Sequence, residues 1–129
     1  MREIASKSGS SAGKIWSTLN KKGSLNKNDL IANTKLNEKD LYNGVGWLAK
    51  ENKIAIKDDY FLLENSNLKS EIGSHAGIIW KILDVWGDLD LESIKRLSNL
   101  NDQQIYSALG WLAREKKICV NKNNRIILN

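Results

Sequence analysis

Three polar side chains, Lys39, Asn43 and Lys50, stand four and seven residues apart in the stretch "NEKDLYNGVGWLAKENKI". Steps of 100° per residue place them, with Gly46, on one side of a helix. A carboxamide such as that of Asn43 can pair with a base edge in the major groove, and ammonium groups can neutralise phosphates. The chemistry open to this set is recognition of double-stranded DNA. A second set, Gln103, Ser107 and Arg114, occupies the matching places around Gly110. Lys35 precedes the first set in a turn, and Lys122 and Arg125 follow the second in a hairpin. These nine residues are the candidate nucleic-acid contacts. The glycines leave a shallow place where a backbone, of DNA or of another helix, can come close.

The neighbouring aromatics point to a different use. Trp47 and Trp111 lie on one shoulder of the polar face, Tyr42 and Tyr106 on the other. A solvated shoulder gains little from such rings, whereas burying one contributes roughly 1.5–3 kcal/mol. Three placements follow for Trp47: under helix two or the wing of its own lobe, against Trp111 or the first helix of a sister lobe, or stacked on a base. Duplex DNA hides its base faces, which disfavours the third. Trp86 stands where the first half of the chain has Lys22, and marks a one-sided contact between lobes or a shield for a helix end. Tyr42, Gly46, Trp47, Trp86, Tyr106, Gly110 and Trp111 form the candidate lobe or partner interface.

Other chemistries find no residues. The chain has one histidine, His75, and one cysteine, Cys119, too few and too far apart for a zinc site. No glycine-rich phosphate loop, carboxylate pair or Ser-His-Asp grouping can be assembled. The expectation is a non-enzymatic protein without a cofactor. His75 is expected beside a helix cap facing solvent, and Cys119, which aligns with Ala55, in a core. No apolar run reaches roughly 18 residues, and "MREIASKSGSS" lacks a secretory signal's apolar stretch, so no membrane insertion and a cytoplasmic location are expected. A single cysteine fits a reducing compartment. The net charge of +5 and pI near 9.3 permit contact with nucleic acid without demanding it.

The elements that must position these residues are written twice. A shift of 64 residues lays "GSSAGKIWSTLNKKGSL" on "GSHAGIIWKILDVWGDL", and "LNEKDLYNGVGWLAKENKIAI" on "LNDQQIYSALGWLAREKKICV". A long period with only two copies is a tandem of small domains. In each copy, apolar residues at helical spacing predict a first helix opened by Ser10 or Ser74, with Ala12, Ile15, Trp16 and Leu19, or Ala76, Ile79, Trp80 and Leu83, inward. "KNDLIANT" and "LESIKRLS" predict a short second helix, and Asn37 and Asn101 cap the third. "IAI", Asp58-Asp59 and "YFLL" predict a hairpin, as do "ICV" and "IIL". The expected class is α+β, mainly α: a tandem winged helix-turn-helix, each lobe three helices plus a β-hairpin wing. The expected divisions are a flexible tail over 1–9, a first lobe over 10–64, a linker over 65–73 and a second lobe over 74–129. The linker is short enough that the lobes must sit side by side, as an intramolecular pseudo-dimer.

The strings "AGKIW", "LYNGVGWLAKENKI" and "IYSALGWLAREKKI" resemble a family of small bacterial and archaeal winged helix-turn-helix proteins of unassigned function. The resemblance covers both lobes. It implies lobes able to pair as homodimers, here carried in one chain. Two functions stay open. One is double-stranded DNA binding by a transcription- or chromatin-associated, nucleoid-located factor. The other is docking of a protein partner by third helices and wings. The acidic first wing, Asp58-Asp59, argues against both lobes following phosphates in the same way.

Overall fold

Each half of the chain begins with a long helix and ends in a hairpin. In the computed structural model, which describes residues 4–129, the order is α1 (Ile4–Lys22), β1 (Leu25–Asn26), α2 (Lys27–Thr34), α3 (Glu38–Lys50), β2 (Ala55–Lys57) and β3 (Tyr60–Leu62). The second half repeats it as α4 (Lys69–Trp86), α5 (Leu91–Ser98), α6 (Asp102–Arg114), β4 (Ile118–Val120) and β5 (Ile126–Leu128). This is a mainly helical α+β fold, a winged helix-turn-helix in two tandem copies.

Local chemistry sets the boundaries. Asn26, Asn37, Asp90 and Asn101 each accept a hydrogen bond from the backbone amide three residues on, which opens α2, α3, α5 and α6. Lys35 and Asn99 end α2 and α5 in the left-handed conformation. In the first wing Asp58 and Asp59 both take positive φ, 52° and 66°, the geometry of a two-residue hairpin turn whose twist suits its strands. β3 lies between β1 and β2, whereas β4 pairs only with β5, extended by a bridge between Leu89 and Ile126.

Three expectations change. Of the tail expected over 1–9, residues 1–3 lie outside the described residues and residues 4–9 already belong to α1. Likewise α4 starts at Lys69, inside the expected linker, so neither Ser10 nor Ser74 opens a helix. The additional turns reach across to the other lobe. Ile4 packs on the second lobe's core, and Leu68 and Ile72 join the first lobe's core. Burying these side chains outweighs the weak start signal of a serine. Trp16 and Trp80, expected inward, are 42% and 37% exposed. Ala12, Ile15 and Leu19, with Ala76, Ile79 and Leu83, fill the inward strip, so the indoles stand at the edges of grooves beside Trp47 and Trp111.

Candidate nucleic-acid interface

The third helices are buried almost all round. In α3, Leu41 to Gly46, Leu48 and Ala49 are buried; in α6, Ile105, Ser107 to Gly110, Leu112 and Ala113 are. One side of each helix faces its own lobe, and the other meets the sister helix. A Cβ on Gly46 would stand 1.8 Å from the Ser107 carbonyl oxygen, and one on Gly110 would stand 1.9 Å from that of Asn43. Asn43 and Ser107 are equivalent in the repeat, so the crossing is a reciprocal pair of backbone-on-glycine contacts with two-fold character.

That crossing decides the candidate contacts one by one. Asn43 and Ser107 are 3% and 7% exposed, so neither can reach a base edge; their expected role is corrected by burial. Arg114 bonds Glu51 of the first lobe, Nε to Oε2 at 3.0 Å, with its guanidinium 5.6 Å from the Trp47 ring centroid. Lys50 answers from the first lobe, its Nζ 5.3 Å from the Trp111 ring centroid. Both cations reach across the seam to the sister lobe, and both remain exposed. Arg125 bonds the Asp88 carbonyl at 3.0 Å and lies 3.4 Å from its carboxylate, tying the second wing to the loop before α5. Gln103 is exposed and lines a groove with Tyr42 and Ile56 of the first lobe. Lys35, Lys39 and Lys122 are exposed and form no ion pair among the described residues. The nine residues therefore do not make one surface.

The aromatics divide similarly. Trp47 lies against α1 of its own lobe, where a Cβ on Gly9 would come within 3.1 Å of the indole. Trp111 repeats this on Gly73 and touches both lobes' cores, as does Tyr106. Tyr42 is buried with the Lys27 ammonium 5.5 Å from its ring centroid. Burial raises the Tyr42 hydroxyl above its ordinary range, Lys27 partly opposing, and burial raises Tyr106 as well. Trp86 departs from the expectation of an inter-lobe contact. It is 62% exposed at the end of α4, because its helix turns that position outward. His75 is half-buried in the groove with Gln103, and Cys119 is buried, 4% exposed.

Sequence reasoning centred on the third helix passed over the outer face of the first. Lys7, Lys14 and Lys21 recur every seven residues along α1, with Lys22 beside them, all exposed. Among the described residues, only Lys7 of these has an ion pair, 3.8 Å from Asp40. The seven-residue recurrence was the available signal. Among the described residues no group of histidine, cysteine and carboxylate side chains could hold a metal, and no helix is long and apolar enough to cross a membrane.

Comparison with known families agrees with the repeat. A family described as winged helix-turn-helix domain (DUF2582) matches twice, over residues 2–65 and 67–128. No curated protein and no solved structure matches the chain.

Proposed function

Since the chain belongs to that winged helix-turn-helix family, matched over both halves, we propose that it is a non-enzymatic, chromatin- or transcription-associated protein that holds double-stranded DNA by the outer face of α1. The carrying observation is the lysine stripe. Lys7, Lys14 and Lys21 span 14 residues of helix, about 21 Å, enough to run along roughly six base pairs of duplex. With Asn43 and Ser107 buried, the base-reading helices are withdrawn, so binding holds phosphates and is indifferent to sequence.

Titrating the protein against unrelated duplexes at several salt concentrations tests this. The expected result is similar affinity for all, falling steeply with salt. The triple variant Lys14→Gln, Lys21→Gln, Lys22→Gln lowers the salt slope by between two and three. Absence of salt-dependent duplex binding at low ionic strength rejects the proposal.

A second reading, protein docking, is favoured by one observation: Val85 and Trp86 on α4 are 75% and 62% exposed. It stands whether or not DNA is bound.

A further inference from the structure

Each lobe has a groove between its first helix and the end of its third, and both grooves are lined by tryptophan. In the second lobe Trp80 and Trp111 line a space of about 420 Å³ with Gly77, Glu115, Lys81 and Lys117. In the first lobe Trp16 and Trp47 line a smaller space, about 220 Å³, with Gly13, Glu51 and Lys53. Trp16 and Trp80 are 42% and 37% exposed, so an indole stands open to solvent at the same place in both copies. Gly13 and Gly77 lie beside them in mid-helix, where glycine weakens a helix. A Cβ at either would meet nothing within 4 Å, so no described neighbour requires the glycine. What it leaves is bare helix backbone beside an indole, a surface on which a flat ring can lie.

We propose that these grooves hold unpaired bases of a single-stranded nucleic acid, stacked on Trp80 and Trp16 over the neighbouring glycines. Charge selects this occupant. Aromatic walls beside a carboxylate also suit a quaternary ammonium. Here, however, each carboxylate already has its cation: Glu115 lies 3.4 Å from Lys117, and Glu51 lies 3.6 Å from Lys53. Lys81 adds a charge with no ion pair among the described residues. The Lys50 ammonium lies 5.3 Å from the Trp111 ring centroid, and the Arg114 guanidinium 5.6 Å from that of Trp47. The surroundings of both grooves are therefore net positive, which repels a cation and suits a flat ring that carries phosphate. Glu115 and Glu51 can accept an N–H from a base edge, and the lysines can neutralise the strand's phosphates. Openness favours a strand over a free nucleotide. A small-molecule pocket encloses most of its ligand, whereas these indoles stay open and leave room for a chain that continues past them. Every base offers a face to stack, so such binding tolerates any sequence. Duplex DNA hides those faces, so the inference does not rest on the phosphate contacts of α1.

Titrating the full chain with a twelve-residue oligothymidylate, while following tryptophan fluorescence, tests it. The expected result is quenching of indole emission on binding, with none from thymidine monophosphate at the same nucleotide concentration or from a duplex of equal length. Gly77→Leu puts a side chain into the larger groove from a position with free space around it. It should weaken oligonucleotide binding about tenfold without lowering the thermal unfolding temperature. Trp80→Leu should weaken binding by a similar factor and remove part of the quenching. Lys81→Gln should lower the salt slope by about 0.7 and leave the quenching in place. The triple variant Lys14→Gln, Lys21→Gln, Lys22→Gln should also keep the quenching, so this inference and the duplex reading fail separately. Absence of quenching by the oligonucleotide overturns the proposal, as does an affinity unchanged by both Gly77→Leu and Trp80→Leu. Equal quenching by the monophosphate overturns the strand as occupant, and equal quenching by the duplex overturns stacking.

Discussion

Helices α1 and α4 are one helix written twice, yet one strip of their outer faces has diverged completely. Inside, Ala12, Ile15 and Leu19 match Ala76, Ile79 and Leu83, and each set fills a lobe core. Gly9 and Gly73 both make room for an indole, Trp47 or Trp111. Outside, Lys14, Lys21 and Lys22 stand against Ile78, Val85 and Trp86. Packing density allows little change where neighbours touch on every side, whereas a solvent-facing position tolerates either a charge or an apolar group. Duplication kept the part of the helix that makes the lobe and freed the part that faces solvent. Hence the two lobes share a fold and differ in the chemistry of their outer surfaces.

The seam is the most symmetric part of this comparison and the most sensitive to change. Gly46→Ala and Gly110→Ala each place a methyl against a carbonyl oxygen of the sister helix, so the helices must part. Each should cost about 3 kcal/mol or more in urea unfolding, and the two costs should agree within about 1 kcal/mol. A cost below about 0.5 kcal/mol for either would mean that the third helices do not meet at their glycines.

The next pair should break the symmetry. Ile72 is buried where its equivalent in α1 is Ser8, 1% exposed, whose hydroxyl has no hydrogen-bond partner among the described residues. Ile72→Ala should cost about 2–4 kcal/mol, while Ser8→Ala should gain about 1 kcal/mol by removing an unsatisfied polar group. Effects of the same sign would refute the difference between the two helix starts. Trp111→Ala and Trp47→Ala should each cost about 2 kcal/mol. The Trp111 change should be the costlier, since that ring touches both cores and Trp47 only the first.

Two smaller effects sharpen the comparison. Gly13 and Gly77 are equivalent helical glycines with open space around them, so Gly13→Ala and Gly77→Ala should each raise stability by about 0.5–1 kcal/mol. A loss at either would reveal a contact on that face. The smallest effect concerns the caps of the second helices, Asn26 and Asp90. The Ser93 amide bonded to Asp90 holds its carboxyl below the ordinary carboxylate range, with Arg125 and Arg96 adding to this. That contribution is present above the unfolded carboxylate's pKa and is lost as pH falls through the lowered folded value. Asn26 does not titrate. Asp90→Asn should therefore flatten the acid limb of the stability–pH curve slightly, and an unchanged limb would show that the cap does not sense pH.

The repeat, the six helices, the caps at Asn37 and Asn101 and both hairpins could be read from the residues because each is local. Period, cap chemistry and turn residues act over a few positions. The starts of α1 and α4 could not, since Ile4 and Ile72 extend those helices only because another lobe receives them. The same reason separates the candidate contacts from what became of them. The amino-acid sequence alone determined that Asn43, Gly46 and Lys50 share one side of a helix, since 3.6 residues per turn requires it. What lies opposite that side was decided only when two copies folded against each other. A backbone carbonyl then filled the glycine notch, and the reading face of a winged helix became the inside of the molecule. Lys14, Lys21 and Lys22 of α1 and Val85 and Trp86 of α4 remained outside, because no described part of the chain covers them.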